Sequence, residues 1–141
     1  MATSLRDWLA EHPPPDSAFR QSLAGVADRI RAGEELAFAV REFLDEFTLL
    51  PRDDLRRAAI ADPPLATGDA RADAYLGALA EHLAATAGLE RPSWSVEHGR
   101  FLERFWFPSP VPGFRALALA ESPAAFRRRG IFIARGALER V

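Results

Sequence analysis

"TGDARADAYLGALAEHLAATAG", residues 67–88, decides the fold class. Thr67 or Asp69 supplies a side-chain oxygen that can cap the start of a helix. Ala72, Tyr75, Leu76, Leu79 and Leu83 then recur at helical spacing and line one face. Gly88 closes the segment, since glycine tolerates the left-handed conformation in which helices often end. The stretch predicts one long, well-bounded helix.

The flanking sequence repeats the same signals in shorter pieces. Ser4 caps an expected first helix, with Asp7 three residues on and Leu5, Trp8 and Leu9 on one face; "HPPPD" ends it. Asp16 or Ser17 caps the next, with Phe19, Leu23, Val26 and Ile30 at helical spacing and Gly33 as its terminator. Glu34 and Glu35 fall in the first turn of a third helix, which carries Leu36, Val40, Phe43, Leu44 and Phe47 and stops at Pro51. The short Gly33 connection predicts an antiparallel hairpin. A short helix over Asp54–Ala61 is ended by "DPP".

Downstream, Ser93 or Ser95 starts a short helix that runs into "FLERFWF", and three prolines in "PSPVPG" break the chain. "GFRALALAE" reads as another short helix. Ser122 and Pro123 form an N-cap and N1 pair for the last one. "IFI", Ile131–Ile133, fits a short strand or a buried extended segment. The expected fold is mostly α, a compact multi-helix domain over 1–141 with room for one short β segment near the C-terminus. Within it, 1–62 is an acidic helical subregion and 63–141 a second subregion.

Composition bounds the function. The 141 residues are 48% hydrophobic and 27% charged, as in an ordinary globular domain. Cysteine is absent, which excludes disulfides and thiolate chemistry. No apolar run reaches the roughly 20 residues of a membrane helix, and "MATSLRDWLAEHPPP" lacks a signal-peptide pattern. The expected location is cytoplasmic, with no membrane partner. All 18 positive charges are arginine, which fits codon bias in a GC-rich genome better than dedicated phosphate recognition. Charge is uneven: 1–70 carries 8 Arg against 13 acids, 71–141 carries 10 against 7, and 100–141 alone carries 8 against 3.

No catalytic motif stands out. His12, His82 and His98 sit in no metal-ligand spacing, and the neighbours Glu81–His82 and Glu97–His98 diverge on a helix. There is no Gly-x-Ser-x-Gly elbow, GxGxxG or Walker loop. Asp53–Asp54 suits a helix N-terminus. The reading assigns no catalytic residue, cofactor or metal, and expects no enzyme.

"SPAAFRRRGIFI", 122–133, places Arg127, Arg128 and Arg129 in the last turn of a helix that Gly130 ends. Cations there oppose the helix dipole, by about 0.3–1 kcal/mol each at best. Consecutive helical residues point in three directions, so the run is expected to act locally rather than as one patch. "RFLERFWFPSP" holds four aromatics in seven residues. Clustered aromatics more often mark core than surface. Phe101 and Phe105 share a helical face; if that face turns inward, Trp106 and Phe107 are the anchors of an interface beside Arg100 and Arg104. The expected partner-binding residues are Arg100, Arg104, Trp106, Phe107, Arg127 and Arg128.

At "PPLATGDARADAYLGALAEHLAATAGLERPSW", "FLERFWFPSP" and "ALAESPAAFRRRGIFIARGALERV", over roughly 63–141, the chain resembles a family from actinobacterial genomes. Its members are small proteins or C-terminal halves of helix-turn-helix regulators, similar to antitoxins encoded beside nucleotidyltransferase-like toxins. The resemblance implies a non-catalytic component whose partner is a protein of that kind. It implies no functional residues. Residues 1–62 lack a recognisable helix-turn-helix and are acidic. Protein binding is therefore expected ahead of the alternative, a DNA-binding regulator using the arginine-rich C-terminal segment.

Overall fold

The computed structural model describes Asp7 and residues 21–139. Among these residues the chain is helical with no sheet: α1 (Leu23–Arg31), α2 (Leu36–Phe47), α3 (Asp53–Ala61), α4 (Ala70–Ala87), α5 (Arg115–Glu121) and α6 (Ala124–Arg127). Short 3-10 turns cover Ser93–Val96, His98–Arg100, Pro112–Phe114 and Arg135–Ala137. The expected helix at Ser4–Leu9, its "HPPPD" end, His12, Ser17 and Phe19 lie outside the described residues, apart from Asp7.

α4 is the hub. Asp69 caps it by accepting from Arg71 N and Ala72 N, while Thr67 instead bonds to the Asp73 carboxylate. Gly88 closes it at a φ of 69°. The expected apolar face is buried, but so is every residue from Ala74 to Ala80. A helix covered on all sides belongs at the centre of its domain. α1, α3, α6 and the turns at 93–96 and 98–100 all contact it.

The hairpin of α1 and α2 forms as expected. Gln21 N donates to Glu46 at 2.9 Å and Arg29 to Glu42 at 2.6 Å, so positions advancing along α1 meet positions receding along α2. Gly33, at a φ of 108°, makes the turn. Two details differ from expectation. Ser22, rather than Asp16 or Ser17, caps α1 through Gly25 N. Glu34 and Glu35 precede α2 instead of filling its first turn; Glu34 pairs with Arg29.

The helix expected through "FLERFWF" does not form. Two 3-10 turns lead into an extended stretch that lies beside residues 129–132. Leu102 N donates to Arg129 O, Trp106 N to Gly130 O, and Phe132 N to Trp106 O. The short β segment expected at Ile131–Ile133 reduces to a single parallel bridge, Trp106 with Ile131. All three residues of "IFI" are buried. Ser122 does not cap α6: its hydroxyl donates to Ile131 O at 2.9 Å and accepts from Ile133 N, and Pro123 takes the cap position.

The arginine run ends a helix as expected, with Gly130 at a φ of 79°. Its effect is not local, because Arg129 is 1% exposed. Its guanidinium donates to the Glu81 carboxylate on α4, to Ala125 O at 2.7 Å and to Ser95 O at 2.6 Å. The Phe101 ring covers it, with centroid 4.7 Å away, and its Nε has no partner among the described residues. Glu81 also accepts from Arg91 and Arg128. Burial pushes Arg129 below its ordinary value, partly offset by Glu81, yet an arginine stays cationic in a protein. Burial would raise the Glu81 carboxyl, but the hydrogen bonds and charges of Arg129, Arg91 and Arg128 outweigh it and hold the group below its ordinary value. The pair is ionised at neutral pH.

Two stability measurements follow. Arg129→Ala leaves Glu81 without its buried partner, so urea denaturation should show a loss of about 3–5 kcal/mol. Arg128→Ala, at a half-exposed contact, should cost less than about 1 kcal/mol. Equal effects would contradict the burial of Arg129. At Gly77 an added Cβ would sit 2.9 Å from Arg100 Cβ and 3.0 Å from Ser95 O. Alanine normally stabilises a helix interior by roughly 0.5–1 kcal/mol over glycine. Here overpacking wins, and Gly77→Ala should destabilise by about 1–2 kcal/mol. A stabilised variant would mean that the 93–100 turns do not press on α4.

Candidate functional site: an apolar groove flanked by arginine

The sequence-predicted binding residues scatter. Arg100 is buried and structural: it donates to Asp73 O at 3.2 Å and Pro64 O at 2.8 Å, and lies 4.8 Å from the Trp94 ring centroid. Trp94 itself donates to Ile60 O at 2.9 Å. Arg100 therefore ties the loop after α3 to the start of α4, and it is withdrawn as a partner contact. Phe105, which shares a face with Phe101 only if the segment is helical, is 76% exposed. The chain bends at Glu103 and Arg104 and is not helical there, so helical spacing no longer decides which aromatics turn inward. Phe101 is half-buried beneath Arg128 and Arg129. Trp106 is half-buried against Tyr75, edge-on at 6.2 Å, with Arg71 over its other contact surface at 5.4 Å. Arg128 is exposed but bonded to Glu81. Arg127 donates to Leu119 O at 2.6 Å, and Arg104 is exposed.

Phe107 is the one predicted anchor that reaches a cavity. It stacks on Phe132 at 5.3 Å, and both rings line a groove of about 470 Å³. α2 forms one wall with Val40, Arg41 and Leu44. The "PSPVPG" loop and the start of α5 form another with Val111, Phe114 and Leu117, and Tyr75 of α4 also lines the space. Burial pushes the Tyr75 phenol up to about 12, so it stays neutral at physiological pH. The volume lies in the range of ordinary ligand and anchor pockets.

Two features set this groove apart from bare packing. Val111, Phe114 and Leu117 are 47%, 51% and 43% exposed, with Leu119 close by at 47%, so a short stretch leaves four large apolar side chains in water. Such concentration on a small surface marks an interaction site more often than scattered apolar residues do. The charged lining residues are Arg41 and Arg115, with no acid among them. Neither forms an ion pair among the described residues, and Arg115 rests over Phe107 at 5.6 Å. A second hollow, of about 460 Å³ between Phe47, Arg56, His82, Thr86 and Leu138, has one arginine in its lining, and that one pairs with Asp53 at 2.9 Å. Burial there lowers the His82 pKa, and the ring meets Phe126 edge-on. His98 is exposed in a separate turn.

The sequence reading missed Arg41, Val111, Phe114 and Leu117. The signal for Phe114 and Leu117 was present in "GFRALALAE", where apolar residues crowd a short helix on more than one face. Its partner wall lies some seventy residues upstream, and nothing local connects the two. No helix among the described residues is long and apolar enough to cross a membrane. No family model, curated protein or solved structure matches the chain.

Proposed function

We propose that this chain is a non-catalytic protein-binding component, an antitoxin that neutralises a nucleotidyltransferase-like toxin, and that it holds its partner in the groove between α2 and α5. The toxin assignment rests on the resemblance of 63–141 to antitoxin-like proteins. The carrying observation for the surface is the exposed apolar wall at Val111, Phe114 and Leu117 beside Arg41 and Arg115, which form no ion pair among the described residues. Apolar anchors that lose water on binding dominate interface energetics, and arginines beside them pair with carboxylates. The arginine run supports this reading over a DNA-binding one. Arg127, Arg128 and Arg129 each bond within the chain, and Arg129 is buried, so the run does not present three free guanidiniums to phosphates.

The test starts from the neighbouring gene, which this proposal expects to encode a nucleotidyltransferase-like protein, and co-expresses its product with this chain. A stable complex should elute from size exclusion. Leu117→Asp should weaken it by about 30-fold or more while circular dichroism stays helical. No complex with that protein overturns the toxin assignment. A complex indifferent to Leu117→Asp removes the groove from the interface.

A further inference from the structure

We propose that the groove receives an amphipathic helix of the partner, whose apolar stripe is flanked by carboxylates. This rests on the partner-binding reading and names the element that binds. The walls are themselves helical stripes. Ala37, Val40, Arg41 and Leu44 stand at i, i+3, i+4 and i+7 on α2, and Phe114, Leu117 and Ala118 repeat i, i+3 and i+4 across the gap. Val40, Leu44 and Ala118 are buried and form the floor, while Ala37, Arg41, Phe114 and Leu117 stand exposed along the two walls. Against such a spacing a helix packs ridges into grooves.

An extended peptide fits less well. Strand addition needs free main-chain groups, and the extended segment on this side has its amides engaged: Phe132 N with Trp106 O, Ile133 N with Ser122 Oγ, and Arg135 N with Glu121. These engaged amides favour an occupant that binds through side chains, as a helix in a groove does. Charge fixes its chemistry. Arg41 and Arg115 come from separate walls, both are exposed, and no carboxylate among the lining residues answers them. A helix with Glu or Asp beside its apolar stripe pairs both guanidiniums, whereas one with Lys there faces like charge.

The probes are two labelled synthetic peptides of about 18 residues, long enough to present two heptads. They share one leucine stripe and differ in carrying Glu or Lys at the flanking positions. Fluorescence anisotropy with the full-length protein should show the Glu peptide binding at least about 10-fold tighter at 150 mM salt, a preference that grows at low salt. The double variant Arg41→Glu/Arg115→Glu, at two exposed positions, should reverse the preference, and Leu117→Asp should weaken both peptides. Equal binding, no binding at about 100 μM, or a preference unchanged by the double variant overturns the inference. So does a concentration-dependent dimer of the chain alone that Leu117→Asp dissolves, since a second copy would then fill the groove. Failure of peptide selectivity alongside a Leu117-sensitive toxin complex removes the helix alone. Peptide selectivity without any toxin complex removes the toxin assignment alone.

Discussion

A guanidinium withdrawn from water holds the C-terminal third of this protein in place. Arg129 reaches from the end of α6 to Glu81 on the central helix and to the carbonyls of Ser95 and Ala125. Three segments far apart in sequence meet on one side chain. An ion pair of this kind adds little over a whole apolar replacement of both partners, but removing one partner alone strands the other and is costly. It does make one arrangement much better than its neighbours, because a misplaced segment strands the charge. A residual defect remains at Arg129: its Nε lacks a partner among the described residues, and the Phe101 ring covers the guanidinium.

The proposed binding surface follows from that anchor. With Arg129 fixed, Gly130 turns the chain and Ile131, Phe132 and Ile133 run inward beside Trp106. Phe132 then stacks against Phe107, and Ser122 is tied to both Ile131 and Ile133. This places α5, which ends at Glu121, across a gap from α2. α5 buries Ala118 alone among its residues, so its position depends on these ties more than on its own packing. The groove is thus the space left between a firmly packed hairpin and a lightly packed helix. A partner helix would complete the layer.

Much of the fold was legible because it is written locally. The Asp69 cap, the Gly33, Gly88 and Gly130 terminators and the stripe from Leu36 to Phe47 need only neighbouring residues to be recognised. Arg129 was not legible, since three consecutive arginines look equivalent until tertiary contacts choose one to bury. Arg100 was misread for the same reason: its acceptors are the carbonyls of Pro64 and Asp73, and a carbonyl leaves no trace in sequence. The misreading of the aromatics at 101–107 came from assigning a helical period to a stretch that is not helical. Without the helix, Phe105 is left exposed while Phe101, Trp106 and Phe107 are each partly buried. The groove was hidden because its walls come from 37–44, 107–118 and 132–137, which sequence proximity does not join.

The claim that the Arg129 anchor fixes the C-terminal segment on α4 is tested most directly by native-state amide hydrogen exchange. The amides of Leu102, Trp106 and Phe132 close the contacts between 102–106 and 129–132. In the unmodified protein they should be protected nearly as strongly as the amides of α4, opening only with global unfolding. In Arg129→Met they should exchange at least about 100-fold faster while the middle of α4 keeps more of its protection, as expected for sub-global opening. Exchange of those three amides at rates typical of frayed termini in the unmodified protein would contradict the account. So would protection that Arg129→Met leaves unchanged.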